Sequence, residues 1–325
     1  VGGNLLTESS VAAIADCSTS YIMRKYFLVL GFFLLAAAGL PAAGLKVVAT
    51  TGMVADLVRR TGGERVEVRQ LMGPGVDPHL YKPTSGDASR LAKAGAIFYN
   101  GLNLEGRLGD LFARLAGQGV KVYAVSASLP AARLLSPEDS AGFHDPHIWL
   151  DASLWAEAVP AVVAGLSEAD PDGAAVYRAN GEKLVADLRA LDAWCRERAE
   201  VVPEGQRILV TSHDAFNYFG RAYGFRVIAL QGISTVSETS LSDMAGLADF
   251  LGERQVPAIF VETSVNPAGL QRVAQDAGVR IGGELFSDAL GEPGQMAGGY
   301  DVGTYDGMMR YNLSTIVAGL DRTKE

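Results

Sequence analysis

From Leu45 onward the chain alternates short β-branched runs with amphipathic segments. This pattern constrains the fold most, because strands separated by helical crossovers build parallel sheets. Strands are expected at Lys46–Thr50, Val66–Leu71, Ala96–Asn100 and Val120–Val125. Between them Val54–Thr61, Ser85–Ala94 and Leu108–Ala116 carry helical spacing, and a following Gly62, Gly95 or Gly117 suits each helix end. The alternation resumes with strands at Arg207–Ser212, Arg226–Leu230, Ala258–Glu262 and Val279–Gly282. Helices are expected there near Ala215–Tyr223, Leu241–Leu251, Pro267–Ala277 and Tyr305–Leu320.

Between the two halves lie Ala152–Ser167, a break at Asp170-Pro171-Asp172-Gly173, and a helical stretch that runs on to Ala199. Tyr177, Leu184, Leu188, Leu191 and Cys195 recur in it at helical steps and mark one apolar stripe. That stretch is too long for an ordinary crossover. The expected architecture is therefore α/β, with two βα lobes (residues 45–170 and 201–325) built on central parallel sheets and joined by one long rigid helix (residues 171–200). The alternative is a single doubly wound domain with a long surface helix.

Residues 1–44 are set apart from the fold. Met23-Arg24-Lys25 precedes an apolar run from Tyr26 to Leu40, shorter than the roughly 20 residues a membrane span needs. The run ends in Pro41-Ala42-Ala43-Gly44, whose small residues suit a signal peptidase, so the mature chain is expected to start near Leu45 in a periplasm. Residues 1–22 read as an upstream segment outside the natural start. Cys17 falls in that segment and Cys195 stands alone in the mature chain, which excludes an intramolecular disulfide. No cysteine stands at the cleavage point to take a lipid, so the protein is expected free rather than anchored. A net charge of −9 disfavours nucleic acid and anionic membranes as partners.

Only four histidines occur, and their company is informative. Asp77-Pro78-His79 and Asp145-Pro146-His147 are the same tripeptide, and each proline stiffens the loop that carries its histidine. His213 closes an expected strand, and Asp288 follows another by way of Gly283-Glu284-Leu285-Phe286-Ser287, so both fall where open α/β sheets bind ligands. Three imidazoles and one carboxylate suit Zn²⁺, Mn²⁺ or Fe²⁺. A lone strand-end histidine is ordinarily a hydrogen-bonded loop residue, and a lone aspartate ordinarily caps a turn. What lifts this set above that background is Asp-Pro-His occurring twice in so histidine-poor a chain. His144, three residues before His147, is expected to be solvent-exposed and not to compete. Spacing alone does not bring the four residues together.

These residues also carry a resemblance. Asp77-Pro78-His79-Leu80-Tyr81, His144-Asp145-Pro146-His147-Ile148-Trp149-Leu150-Asp151, Thr211-Ser212-His213-Asp214-Ala215-Phe216 and Gly283-Glu284-Leu285-Phe286-Ser287-Asp288 stand in the order found in TroA-type metal receptors of ABC transporters. Gln231-Gly232-Ile233-Ser234-Thr235, Ser237-Glu238, Ala258-Ile259-Phe260-Val261-Glu262 and Thr304-Tyr305-Asp306-Gly307-Met308-Met309-Arg310-Tyr311-Asn312 also match. The resemblance covers Leu45 to Leu320.

It implies an extracytoplasmic solute-binding protein that captures one divalent ion, zinc or manganese, in the cleft between two lobes and delivers it to a membrane permease. Carried over by position, His79 and His147 are ligands from the first lobe, and His213 and Asp288 are ligands from the second. A monomer without catalytic activity is expected. Some manganese receptors of this kind have Glu at the position of His213, and dedicated zinc receptors of the ZnuA type often carry a histidine-rich loop where this chain has the short Ala132–Phe143 segment. The chain is thus closest to the TroA type, for which both metals fit. Four protein ligands saturate a tetrahedral zinc and leave no position for an activated water. That weighs against the alternative of a periplasmic zinc hydrolase with Asp288 as general base. A receptor for an iron chelate or cobalamin would not need three convergent imidazoles.

Overall fold

The first four expected strands form one parallel sheet. Strands β1 (Leu45–Ala49), β2 (Val66–Gln70), β3 (Ala96–Tyr99) and β4 (Val122–Ala124) lie in the order β2-β1-β3-β4. Helices α1 (Gly52–Gly62), α2 (Ser85–Ala92) and α3 (Gly109–Gly117) make the crossovers. Their starts are written in the sequence: Thr51 accepts from the Val54 amide at α1, and Thr84 and Asp87 cap each other's amides at α2. The computed structural model describes residues 44–137, 142–236 and 239–321. The expected leader, the upstream segment with Cys17 and the Ser237-Glu238 pair lie outside the described residues. No helix among the described residues is long and apolar enough to cross a membrane.

Helix α4 (Ala152–Ala169), capped by the Asp151 carboxylate, packs on α5 (Ala174–Ala199), the 26-residue helix anticipated as the link. Beyond it β5 (Ile208–His213) pairs in parallel with β6 (Arg226–Gln231), and β7 (Ala258–Glu262) pairs in parallel with β8 (Arg280–Leu285). Strand β7 runs beside β5. Helices α6 (Asn217–Tyr223), α7 (Leu241–Arg254), α8 (Ala268–Ala277) and α9 (Tyr305–Leu320) complete this second lobe.

Strand periodicity decides where the core sits. Side chains alternate faces along a strand. Val47, Ala49, Ala96 and Phe98 of the first sheet join Leu209 of the β5-β6 pair and Ala258 and Phe260 of the β7-β8 pair in one continuous core with α4, α5 and α9. The intervening residues face outward: Val48 and Ile97 pack with Leu91 and Phe112, while Val210 and Ile259 pack with Leu251 and Leu270. Tyr177, Leu184, Leu188, Leu191 and Cys195 are all buried in the shared core, so α5 is a spine packed into both lobes. Gly165 of α4 sits where a Cβ would meet the Phe98 and Tyr123 rings at 2.9 Å, so only glycine lets the helix approach the first sheet that closely.

Several expected boundaries shift. The residues that follow α1, α2 and α3 are Gly63, Lys93 and Gln118 rather than Gly62, Gly95 and Gly117. The positive-φ residue after α1 is Gly63, φ 57°, and Gly62 and Gly117 each remain the last helical residue. His213 lies within β5 rather than after it, and α6 opens at Asn217 after a short turn. Strand β8 extends to Leu285, past the expected Gly282. A two-residue hairpin of β9 (Met296–Ala297) and β10 (Tyr300–Asp301) has no sequence signal, since strands that short show no alternation.

Candidate metal centre

All four expected residues arrive at the carboxyl edges of the two sheets. His79 lies on the loop between β2 and α2, and His147 follows β4 at the entry to a 3-10 turn, Ile148–Leu150. His213 is the last residue of β5, and Asp288 follows β8. The fold brings them together across the lobes, with one potential ligand atom of each within 4.8 Å of all the others. His147, His213 and Asp288 are buried to within 1% exposure, and His79, at 8%, is the one nearest solvent.

Several of the separations approach those of donors around one ion. His79 Nε2 is 3.3 Å from His147 Nε2, His147 Nε2 is 3.5 Å from Asp288 Oδ1, and His213 Nε2 is 3.3 Å from Asp288 Oδ2. The longest of these edges, His79 Nε2 to Asp288 Oδ2, is 3.9 Å. Four donors about 2.0–2.1 Å from one tetrahedral zinc stand about 3.3–3.4 Å apart. His213 Nε2 and both Asp288 carboxylate oxygens are buried without a hydrogen-bond partner in the protein. Buried polar atoms are paired as a rule, and each unpaired one costs about 1–3 kcal/mol, so a cluster of them marks a place built to receive something.

Carboxylates behind the ring fix which nitrogen faces inward. In both Asp-Pro-His tripeptides the aspartate Oδ1 accepts from the histidine amide two residues on, at 2.8 Å for Asp77 and 3.0 Å for Asp145. Asp145 Oδ1 also takes the Nδ1–H of His147 at 2.7 Å, leaving Nε2 for the cluster. Asp77 instead reaches the second lobe, where its Oδ2 accepts from the Thr235 hydroxyl at 2.6 Å. Glu262, at the end of β7, accepts from the His213 amide at 2.8 Å through Oε1. Its Oε2 lies 2.6 Å from His213 Nδ1, an ion-pair contact off the line of a hydrogen bond. Partners of this kind set the tautomer and raise the basicity of a ligating imidazole.

The electrostatics differ among the histidines. Burial pushes His79 down to about 3 despite the Asp288 carboxylate, so it is neutral at physiological pH. At His213 burial also opposes the cation, but Glu262 and Asp288 outweigh it and hold the imidazole well above its ordinary value. Asp288, which burial alone would raise, is held well below the usual carboxylate range by His213 and its neighbours. The free protein thus favours the protonated form of His213, and a cation taking its Nε2 would displace that proton.

Residues 47–319 match the family described as zinc-uptake complex component A, periplasmic. The chain belongs to that family. It is 42% identical over 299 residues to the manganese-binding lipoprotein MntA of Bacillus subtilis, covering 89% of this chain and 95% of the relative. It is 45% identical over 281 residues to the zinc-binding protein TroA of Treponema pallidum, covering 85% of this chain and 89% of the relative. The solved periplasmic zinc-binding protein TroA from Treponema pallidum superposes with a TM-score of 0.81 at 43% identity, covering 86% of this chain and 100% of that one. The family is one of uptake components, not enzymes, and the hydrolase alternative falls with that finding.

The sequence pointed to all four clustered residues and left out those that hold them. Asp145 was visible only as part of a repeated tripeptide, and Glu262 only as a charge ending the buried apolar run Ala258–Val261. A second hidden support lies under the His147 loop. The buried Glu105 carboxylate accepts from the Thr50 hydroxyl at 2.7 Å and the Asn100 amide at 2.8 Å, and Asn100 Nδ2 donates to Pro146 O at 3.0 Å. That arrangement holds Gly101, Leu102 and Asn103 at positive φ, a costly backbone for the last two. His144 is half-buried rather than exposed, with Nδ1 2.8 Å from Ser136 Oγ, and it stands outside the cluster.

Proposed function

We propose that this protein is the extracytoplasmic solute-binding component of an ABC importer that captures one Zn²⁺ or Mn²⁺ ion with His79, His147, His213 and Asp288. One observation carries the reading: four buried side chains from two lobes place ligand atoms within 4.8 Å of one another, with His213 Nε2 and both Asp288 oxygens lacking a hydrogen-bond partner. The relatives are named for manganese and for zinc, which supports a site accepting either. By the Irving–Williams order three nitrogen donors hold Zn²⁺ more tightly than Mn²⁺ in vitro. The ion is cargo, so the chemistry is capture and release.

The lobes comprise residues 45–170 and 201–325, joined by residues 171–200. The chain is exported by the leader beginning at Met23, and β1 begins at Leu45, where the mature protein is expected to start. Its partner is a membrane permease, and it acts as a monomer. Titration calorimetry of the purified mature chain with Zn²⁺ tests the core of the proposal. One tight site per chain is expected, and two or more comparable tight sites would overturn the single-centre reading. Mass measurement of the exported protein checks the start at Leu45.

A further inference from the structure

The His147 loop belongs to the first lobe, yet much of its support comes from the second. Ahead of His147 the Asp145 amide donates to Leu135 O at 2.9 Å and closes a neck in the chain. The hydroxyl of Tyr218, on α6, completes that neck from both sides: it accepts from the Leu135 amide at 3.0 Å and donates to Asp145 O at 2.9 Å. From the adjacent position, Asn217 Nδ2 donates to Asp145 Oδ2 at 3.2 Å, the oxygen that His147 leaves free. Tyr218 is fully buried, with the Arg221 guanidinium 5.0 Å from its ring centre, and Arg221 in turn donates to Arg133 O of the first lobe at 2.7 Å.

We propose that Tyr218 and Asn217 are positioning residues for His147, acting across the lobe boundary through Asp145. The proposal rests on the reading of His147 as a ligand. Asp145 orients the ring only while its own carbonyl and carboxylate stay in place; Tyr218 holds the carbonyl, Asn217 holds one carboxylate oxygen, and Tyr218 also fastens the neck that the Asp145 amide closes. Strand β5, which ends in His213, leads through a short turn into α6, so the segment that follows one imidazole aims another in the other lobe.

A matched control sits on the same helix. Tyr223 also places its hydroxyl on the first lobe, taking the Ala152 amide at 3.2 Å, but it touches neither Asp145 nor the loop neck. Full-length mature Tyr218→Phe, Asn217→Ala, Tyr223→Phe and His147→Ala are compared by chelator competition for Zn²⁺ and by the visible absorption of bound Co²⁺, which reports coordination geometry. Removing a partner that orients a ligand typically costs 10–100-fold in affinity. Tyr218→Phe and Asn217→Ala are expected to weaken Zn²⁺ binding about tenfold or more and to alter the Co²⁺ bands, while Tyr223→Phe leaves both unchanged. If Tyr218→Phe does not fold, the half-buried Asn217→Ala decides alone. Equal weakening by all three with unchanged Co²⁺ bands would mean general docking of α6 and overturn the proposal, as would wild-type affinity in Tyr218→Phe and Asn217→Ala. Wild-type binding by His147→Ala would instead remove the ligand reading on which it stands.

Discussion

Replacing Glu262 with Gln isolates how a residue that never touches the ion governs it. Glu262 faces two donors of His213, the backbone amide at 2.8 Å from Oε1 and ring Nδ1 at 2.6 Å from Oε2. Glutamine keeps one oxygen, and the amide, a fixed donor, will take it. The NH₂ group then confronts Nδ1 and favours the tautomer with Nδ1 bare and the proton on Nε2, the atom that must carry a lone pair into the centre. Restoring the productive tautomer sets two N–H groups face to face and loses the 2.6 Å ion-pair contact with Oε2. Loss of an outer partner of a metal-bound histidine typically weakens binding about 10–100-fold, and that is the expected effect on Zn²⁺. Chelator competition at pH 7.5 measures it, alongside the melting temperature of the metal-free protein. Affinity within threefold of wild type would refute the tautomer argument.

Other consequences follow from the same geometry. His79→Ala, His147→Ala, His213→Ala and Asp288→Ala are each expected to weaken Zn²⁺ at least 100-fold in calorimetry, while His144→Ala, outside the cluster, leaves it unchanged. Because His213 is raised by Glu262 and Asp288 and holds a proton in the free state, Zn²⁺ affinity should fall with decreasing pH already above about 6.5, by about tenfold per unit for one proton released. His79, pushed down to about 3, adds nothing to that slope, and a flat profile between pH 8 and 6.5 would contradict the assignment. For the metal-free protein the sign reverses: a raised His213 contributes stability that is full below about pH 6.5 and is lost as pH climbs through its folded value, so the melting temperature should drop on the alkaline side. With α5 packed into a core common to both lobes, binding should change the radius of gyration very little in small-angle scattering, yet stabilise by about 4 kcal/mol at a thousandfold excess over Kd.

The alternation from Leu45 and the stripe from Tyr177 to Cys195 were enough to read strands, crossovers and the long helix, because alternation and helical periodicity are local consequences of which face is buried. Helix exits at Gly63 and Gln118 and the short β9-β10 hairpin were not legible, since a shift of one residue or a strand of two leaves no periodic trace. The sequence by itself singled out the four candidate donors: two Asp-Pro-His tripeptides on stiffened loops, a histidine ending a strand and an aspartate after another. Their meeting was decided only by the tertiary structure, which packs the two sheets into one core along α5 and turns their carboxyl edges toward a common point. The same is true of Asp145, Glu262 and Tyr218, whose roles depend on partners up to 83 residues away in the chain. A hydrogen bond of 2.7–3.0 Å is a statement about distance in space, and chain spacing across two lobes carries almost none of that information.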